Sequence, residues 1–123
     1  MTKESTPPEH AQDAERRKFP RYSIDIAIKV KVPAAGGLST YCFGRGGDVG
    51  RGGLSIHLPH ELLVGKAIDL TMTLPYSDRS IQCRVVVRNR EGFKYGVEFK
   101  ELRPDDHALL METCRRLGVV QSI

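Results

Sequence analysis

The first third of the chain contains a long segment in which apolar and polar residues alternate. In residues 22–32 every even position is apolar, and most odd positions carry Ser, Asp or Lys. Successive side chains of a β-strand point to opposite faces, so this pattern predicts a strand with one buried face. Shorter alternating runs follow at residues 54–58, 68–74, 81–87 and 93–99. Alternation over so much of the chain indicates a mainly β fold, either a small barrel or a sandwich.

Turn-forming residues separate these runs. Pro and Gly in residues 33–37 predict a turn, after which residues 38–43 are expected to pair back along the first strand. Ser77 and Asp78 predict a second tight turn, and Glu91-Gly92 predicts a hairpin. The expected arrangement is an antiparallel meander of about six strands.

One helix is predicted at the C-terminal end, over residues 104–117. Pro104 suits the first helical position, two aspartates follow it at the positive end of the helix, and two arginines precede Gly118 near the other end. We expect one face of this helix to plug or flank the β-structure. That face comprises Leu109, Leu110, Thr113, Cys114 and Leu117.

The bulk composition is that of a globular domain. With 123 residues, the chain is long enough for one domain with its own core. Hydrophobic residues make up 40% and charged residues 28%, which excludes a wholly disordered or collagen-like chain. No apolar run approaches the roughly 18 residues of a membrane span, and the N-terminus has no hydrophobic signal segment, so we expect a cytoplasmic location.

The cysteines and histidines do not predict a metal site. Cys42, Cys83 and Cys114 are odd in number, far apart and without CxxC spacing, which argues against both a disulfide framework and a zinc site. His57 and His60 are separated by a proline and do not form a preformed ligand pair. We therefore expect reduced thiols and no metal.

Charge is distributed unevenly along the chain. Residues 1–15 are rich in Pro, Glu, Ser and Thr and carry a net charge of −3, which predicts a flexible tail. The whole chain carries +4, so the remainder carries +7 and favours an anionic partner. Residues 16–21 read Arg-Arg-Lys-Phe-Pro-Arg, and Pro20 restricts Phe19 to extended geometry. These residues predict a stiff basic arm.

Eight of the 12 glycines lie between residues 36 and 53. The only acid in this glycine-rich stretch is Asp48, which is flanked by Arg45 and Arg51. A fixed carboxylate can accept hydrogen bonds from the N1–H and N2–H groups of guanine, and the amides of the glycines after Asp48 are expected to remain available to an anion. A strained corner of a barrel is the alternative interpretation.

The basic arm and the glycine-rich corner together resemble the PilZ domain family, which comprises bacterial receptors for the second messenger cyclic di-GMP. The family pattern is an RxxxR arm, then a D/NxSxxG corner, on a six-stranded antiparallel β-barrel with a C-terminal α-helix. The resemblance covers about residues 16–117 and departs at Gly50, where the family has a serine. The matching positions are Arg17 and Arg21 in the arm, Asp48 and Gly53 in the corner, and residues 96–99, which resemble a late-strand signature.

The resemblance implies a binding site for cyclic di-GMP, with no catalytic residue and no further cofactor. The arginines are expected to grip phosphate and guanine, while Asp48 takes a guanine edge. Arg16 resembles a family variant that favours two stacked ligand molecules over one. The implied ligand-binding residues are Arg16, Arg17, Arg21, Asp48, Gly50 and Gly53.

The resemblance also implies how binding is converted into a signal. Repulsion among the arm's cations is expected to keep the arm disordered until the anionic ligand orders it for a protein partner in motility, secretion or exopolysaccharide machinery. The implied organisation is a tail at 1–15, a PilZ-like domain at 16–118 and a C-terminal tail at 119–123. Within the domain, the arm covers 16–21, the barrel 22–99 and the helix 104–117.

Three alternatives remain at this level. A PilZ-like scaffold that does not bind the ligand is one. A single-stranded nucleic-acid binder is another, because Arg45 and Arg51 each begin an RGG triplet, although Trp is absent and Phe93, Tyr95 and Phe99 are in phase with the buried faces. An enzyme is least supported, since the glycine-rich stretch lacks the Lys-Ser or Lys-Thr of a P-loop.

Overall fold

The alternating segments form the strands of a closed barrel. The computed structural model describes residues 20–33 and 35–121, with six antiparallel strands in the order β1-β2-β3-β6-β5-β4 and one C-terminal α-helix. This confirms the six-stranded barrel with a C-terminal helix. The elements are β1 (Tyr22–Pro33), β2 (Ser39–Val49), β3 (Gly53–His57), β4 (Ala67–Thr73), β5 (Ser80–Glu91), β6 (Lys94–Glu101) and α1 (Pro104–Gln121), with a 3-10 turn at Ala35–Gly37.

The barrel interior holds the core, and α1 packs against it. Ile26, Ile28 and Val30 of β1 are buried, as the alternation in that segment predicts. Leu110 and Leu117 of α1 belong to the same buried cluster, which confirms that the predicted helix face flanks the barrel. Burial of each such side chain contributes about 1.5–3 kcal/mol. Among the described residues, no helix is long and apolar enough to cross a membrane.

Strand β2 extends further than the sequence predicts. The sequence predicts pairing over residues 38–43, but β2 continues to Val49, and the turn is confined to residues 50–52. A Cβ atom on Gly44 would overlap the carbonyl oxygen of His57, and one on Gly46 would lie 2.9 Å from a side-chain carbon of Ile26. These glycines therefore serve close packing between strands rather than a change of chain direction.

Helix α1 also continues beyond its predicted end. Gly118 lies within the helix, where a Cβ atom would be 3.3 Å from the ring of Tyr22. The side-chain amide of Gln121 then pairs with the backbone of Ser23: Nε2 donates to the Ser23 carbonyl at 2.8 Å, and Oε1 accepts from the Ser23 amide at 3.1 Å. Gly118 thus permits close helix packing, and the last turn of α1 docks on the start of β1.

Of the three aromatic residues predicted to face the core near the end of the barrel, one does not. Tyr95 is fully buried and its hydroxyl donates to the His60 carbonyl at 2.9 Å, while Phe99 is half-buried. Phe93 is 55% exposed, because it lies in the turn before β6 rather than in the strand. The prediction that Phe93 is buried is wrong.

Candidate functional site

Asp48 lies near the end of β2, between β1 and β3. Its cross-strand neighbours are Ser23 on β1 and Ser55 on β3. The hydroxyl of Ser55, which is buried, donates to Asp48 Oδ2 at 3.3 Å. Ser55 is not among the residues predicted from the sequence. The sequence contains one signal for it: Ser55 is a polar residue between Leu54 and Ile56. Its side chain therefore points away from the core face that these two residues share, on the side where Asp48 lies on the neighbouring strand.

A bulge at Gly47 sets the direction of the Asp48 side chain. Gly46 pairs with Ile56, but the next pair is Asp48 with Ser55, so Gly47 is an extra residue in β2. An unbroken alternation would place residues 46 and 48 on the same inward face. The bulge shifts the phase by one residue, which takes the Asp48 carboxylate out of the core and leaves Val49 buried.

The turn after Asp48 is held by backbone hydrogen bonds. The Gly50 amide donates to the Gly53 carbonyl at 3.0 Å, and the Phe99 amide donates to the Gly52 carbonyl at 3.0 Å. A Cβ atom on Gly53 would overlap the carbonyl oxygen of Val97, so glycine is required where β3 and β6 approach. The Gly50 amide is therefore engaged within the turn, and the expectation that it remains available to an anion is wrong.

The base of the arm lies against this turn. A Cβ atom on Gly50 would be 2.8 Å from the Pro20 carbonyl oxygen and 3.6 Å from Arg21 Cγ. A serine here, as in the family pattern, would require Pro20 to move. The Arg21 residue is exposed, whereas Arg16 and Arg17 lie outside the described residues, as does the predicted tail 1–15. Of the predicted site residues, the structure brings together Arg21, Asp48, Gly50 and Gly53.

The two arginines that flank Asp48 in the sequence have different surroundings. Arg45 donates from Nε and Nη2 to Asp25 Oδ1 at 2.9 and 2.7 Å, so its charge is paired on the barrel surface. Arg51 is exposed in the turn. Burial raises the pKa of the Cys114 thiol on α1, and the positive charge of Arg51 opposes that rise. Arg51 and Arg21 thus supply cationic groups at the corner.

A charged cluster on β5 and β6 borders the corner. Glu98 pairs with Gly53 across the β3–β6 ladder. Its carboxylate accepts from Arg88 Nε at 2.6 Å and lies 3.6 Å from Lys100 Nζ. The hydrogen bond from Arg88 is the main cause that lowers the pKa of Glu98. Glu98 was recognised in the sequence only as part of residues 96–99, and its ion pairs were not predicted.

The corner combines a fixed carboxylate with exposed cations. Asp48 is oriented by Ser55 and can accept from paired N–H donors such as those of a purine edge. Arg21 and Arg51 carry guanidinium groups, which are able to bind anionic groups bidentately. The arrangement suits binding of a ligand that carries both N–H donors and negative charge.

Comparison with known families assigns the chain. The family model described as "PilZ domain" matches residues 15–116. No curated protein sequence matches the chain.

Several solved structures share the fold. The Bacillus subtilis inhibitor of motility (MotI/DgrA) is 20% identical, with 85% of this chain and 52% of that chain covered and a TM-score of 0.65. YcgR in complex with c-di-GMP from Escherichia coli is 16% identical, with 87% and 48% covered and a TM-score of 0.66. The PilZ domain of YcgR with c-di-GMP is 14% identical, with 87% and 98% covered and a TM-score of 0.59. This chain spans about half the length of the first two proteins.

Proposed function

Because the chain belongs to the PilZ domain family, we propose that it is a receptor that binds cyclic di-GMP at the corner formed by Arg21, Asp48 and Gly50. One observation carries this proposal: the base of the arm packs against the corner, with the Pro20 carbonyl 2.8 Å from where a Gly50 Cβ atom would be. A ligand at the corner therefore lies within reach of the arm's arginines. YcgR, a structural neighbour, is described in complex with c-di-GMP, which agrees with this ligand class.

The ligand chemistry matches the groups at the corner. Cyclic di-GMP presents guanine N–H donors, which suit the acceptor oxygens of Asp48, and phosphates, which suit Arg21 together with Arg17 from the arm. Guanidinium groups also bind guanine O6 and N7 or stack on the purine face. Arg16 is expected to support a second, stacked ligand molecule.

The two motif glycines contribute space rather than functional groups. Gly53 allows β3 and β6 to approach, which fixes the turn, and Gly50 leaves room for the backbone of the arm base. A missing serine hydroxyl at position 50 removes a hydrogen bond that is typically worth about 0.5–1.5 kcal/mol, so binding persists with lower affinity.

Binding at this place has a direct route to a signal. The arm at residues 16–21 carries four of the chain's cations, and their mutual repulsion opposes an ordered arm until phosphates neutralise it. The ordered arm then forms part of a surface for a protein partner in motility, secretion or exopolysaccharide machinery. The protein acts as a binding module and not as an enzyme.

Calorimetry tests the proposal. Cyclic di-GMP should bind the wild-type protein, and Arg21→Ala should weaken binding by at least about tenfold, because a hydrogen bond to a charged group contributes about 1.5–3 kcal/mol. Arg115→Ala is the matched control: it removes the same charge from an exposed position on α1. The fitted number of ligands per chain shows whether one or two molecules bind.

Two results would contradict the assignment. Equal affinity of Arg21→Ala and Arg115→Ala would remove the arm from the site. Absence of binding to the wild-type protein, with salt-sensitive binding of an oligonucleotide instead, would favour the nucleic-acid interpretation.

A further inference from the structure

Part of strand β2 has a free backbone edge. Residues 39–43 pair with β1 on one side, but pairing with β3 begins only at Arg45 opposite His57. Among the described residues, none forms a backbone hydrogen bond with residues 39–43 from the β3 side. A free edge of this length is a template for another extended segment.

The start of β1 offers a contrast. The pairing of β1 with β4 begins only at Ile28, so the residues of β1 before Ile28 have no partner strand on that side. The end of α1 covers this part of β1 instead. There the Gln121 side chain satisfies both backbone groups of Ser23. The chain thus protects one incomplete edge with its own helix, while the edge at residues 39–43 has no such cover within the described part of the chain.

Two large aromatic side chains stand beside the free edge. Tyr41 is 52% exposed and Phe43 is 68% exposed. They are two residues apart on one strand, so both point outward on the same face, roughly 7 Å apart. A strand added to β2 would place alternate side chains next to these rings, where cross-strand contacts with aromatic residues are favourable.

Two lysines on β1 flank the aromatic pair, and Asp69 on β4 lies opposite one of them, Lys31. Lys29 lies opposite Phe43 on β1, and Lys31 lies opposite Tyr41. Lys29 Nζ is 5.2 Å from the centre of the Tyr41 ring, so this ammonium already reaches over β2. Among the described residues, neither lysine is within ion-pair distance of a carboxylate. Both lysines also line a cavity of about 680 Å³ that Arg84 and Arg103 border.

We propose that the free edge of β2, with Tyr41, Phe43, Lys29 and Lys31, binds an acidic, extended segment of a partner protein. The segment adds a strand along residues 39–43. On the face that the two rings share with the lysines, its acidic side chains contact the rings through their methylene groups and the lysines through their carboxylates. Backbone pairing supplies affinity, and the aromatic and basic positions supply selectivity.

The charges distinguish this partner from other occupants. Two copies of the chain that met at this edge would bring no carboxylate to the lysines, which lie on β1 behind each paired β2 strand. A nucleic-acid strand would find the face of Tyr41 already covered by Lys29, and the acidic groups Asp69 and Glu101 line the same cavity. An acidic peptide has carboxylates only at particular side chains, so it can place them next to Lys29 and Lys31 and keep them away from Asp69 and Glu101.

This surface is separate from the corner that contains Asp48. Ser23 lies opposite Asp48, whereas Lys31 lies opposite Tyr41, so the two sites are at opposite ends of the β1–β2 hairpin. At about 3.3 Å per residue, the near end of the edge, where Phe43 lies opposite Lys29, is roughly 20 Å from Ser23 along β1. The proposal therefore stands or falls independently of cyclic di-GMP binding.

The test uses a defined peptide and the whole chain. The probe is an acetylated and amidated heptapeptide of alternating glutamate and valine, titrated into ¹⁵N-labelled protein. We expect chemical-shift changes centred on residues 39–43 and slower amide hydrogen exchange there. A lysine and valine peptide tests charge, a glutamate and valine peptide with alternate N-methylated amides tests backbone pairing, and oligothymidylate tests nucleic acid.

Matched variants locate the charge contribution. The double variant Lys29→Glu with Lys31→Glu should weaken the binding affinity for the glutamate and valine peptide by about tenfold or more. The control, Lys66→Glu with Lys94→Glu, makes the same charge change at exposed positions away from the edge and should bind like the wild type. Three results would overturn the proposal: no change at residues 39–43, equal binding of the lysine or N-methylated peptide, or preferential binding of oligothymidylate at this edge.

Discussion

Two glycine-to-alanine substitutions in the corner should have different consequences, one mainly for stability and the other mainly for ligand binding. In Gly53→Ala the new methyl group would overlap the backbone carbonyl oxygen of Val97, and the two residues lie on paired barrel strands. Relief requires β3 and β6 to separate by roughly 1 Å, which also strains the hydrogen bond from the Phe99 amide to the Gly52 carbonyl. Overpacking costs about 1–3 kcal/mol and a weakened hydrogen bond about 1 kcal/mol.

The net magnitude follows from these terms. Alanine lowers the conformational entropy of the unfolded chain relative to glycine, which offsets about 0.4–1 kcal/mol of this loss of stability. Gly53→Ala should therefore lower the free energy of unfolding by about 1–3.5 kcal/mol, a large part of the 5–15 kcal/mol typical of a domain. In Gly50→Ala the methyl group meets the Pro20 carbonyl, which precedes β1 and can move away, so we expect a loss below about 1 kcal/mol with weaker cyclic di-GMP binding.

Urea unfolding followed by circular dichroism, with calorimetry on the same samples, measures both effects. Gly53→Ala should shift the urea midpoint strongly, and Gly50→Ala should change affinity more than stability. If Gly53→Ala unfolds within 0.5 kcal/mol of the wild type, the close approach of β3 and β6 is not what requires this glycine. If Gly50→Ala binds the ligand unchanged, the packing of the arm base against the turn has no role in binding.

Two further predictions concern the link between the barrel and α1, and the buried thiol. Asp106 is buried and accepts a hydrogen bond from Arg79 Nη1 at 2.5 Å, so Asp106→Asn should lower the free energy of unfolding by about 1.5–3 kcal/mol. The control is Asp105→Asn at the exposed neighbouring position, which should change the free energy of unfolding little. Equal urea midpoints for the two variants would contradict this prediction. Burial, reinforced by nearby carboxylate charges, raises the pKa of Cys83 from 9.0 to about 12. Because the pKa is higher in the folded protein than in the unfolded chain, the stability that depends on the neutral thiol should be present below about pH 9 and decline as the pH rises towards 12. If the free energy of unfolding of Cys83→Ala changes with pH over this range as that of the wild type does, this prediction is refuted.

Local alternation was sufficient to predict the strands and a mainly β fold, whereas the choice of a barrel over a sandwich came from the family resemblance. Residues 22–32 repeat with a period of two because a strand in a closed barrel has one face in the core, and β1 follows that pattern over its whole length. The helix face was likewise recognisable from Leu110 and Leu117, since the 3.6-residue period depends only on which side meets the core.

The extent of β2 and α1 could not be predicted, because it depends on neighbours distant in sequence. Glycine usually interrupts a strand or ends a helix, and both rules were applied to Gly46 and Gly118. In the structure each glycine makes room for a packed side chain, Ile26 and Tyr22 respectively. Only the three-dimensional arrangement shows which glycines turn the chain and which allow close contact.

The geometry of the corner was predicted in part. Motif spacing identified Asp48 and the turn after it, but spacing alone does not show that a bulge at Gly47 is needed to direct the carboxylate outward. Ser55 was missed because its role depends on cross-strand register. The roles of Arg16 and Arg17 stay predictions, since both lie outside the described residues.

A titration of the ¹⁵N-labelled wild-type chain with cyclic di-GMP tests the central claim most directly. The account predicts saturable chemical-shift changes at Arg21, Asp48 and the amides of residues 50–53, accompanied by changes at Arg16 and Arg17, while residues 39–43 at the other end of the hairpin remain unaffected. An unchanged spectrum at saturating cyclic di-GMP, or changes confined to a surface away from the corner, would contradict it.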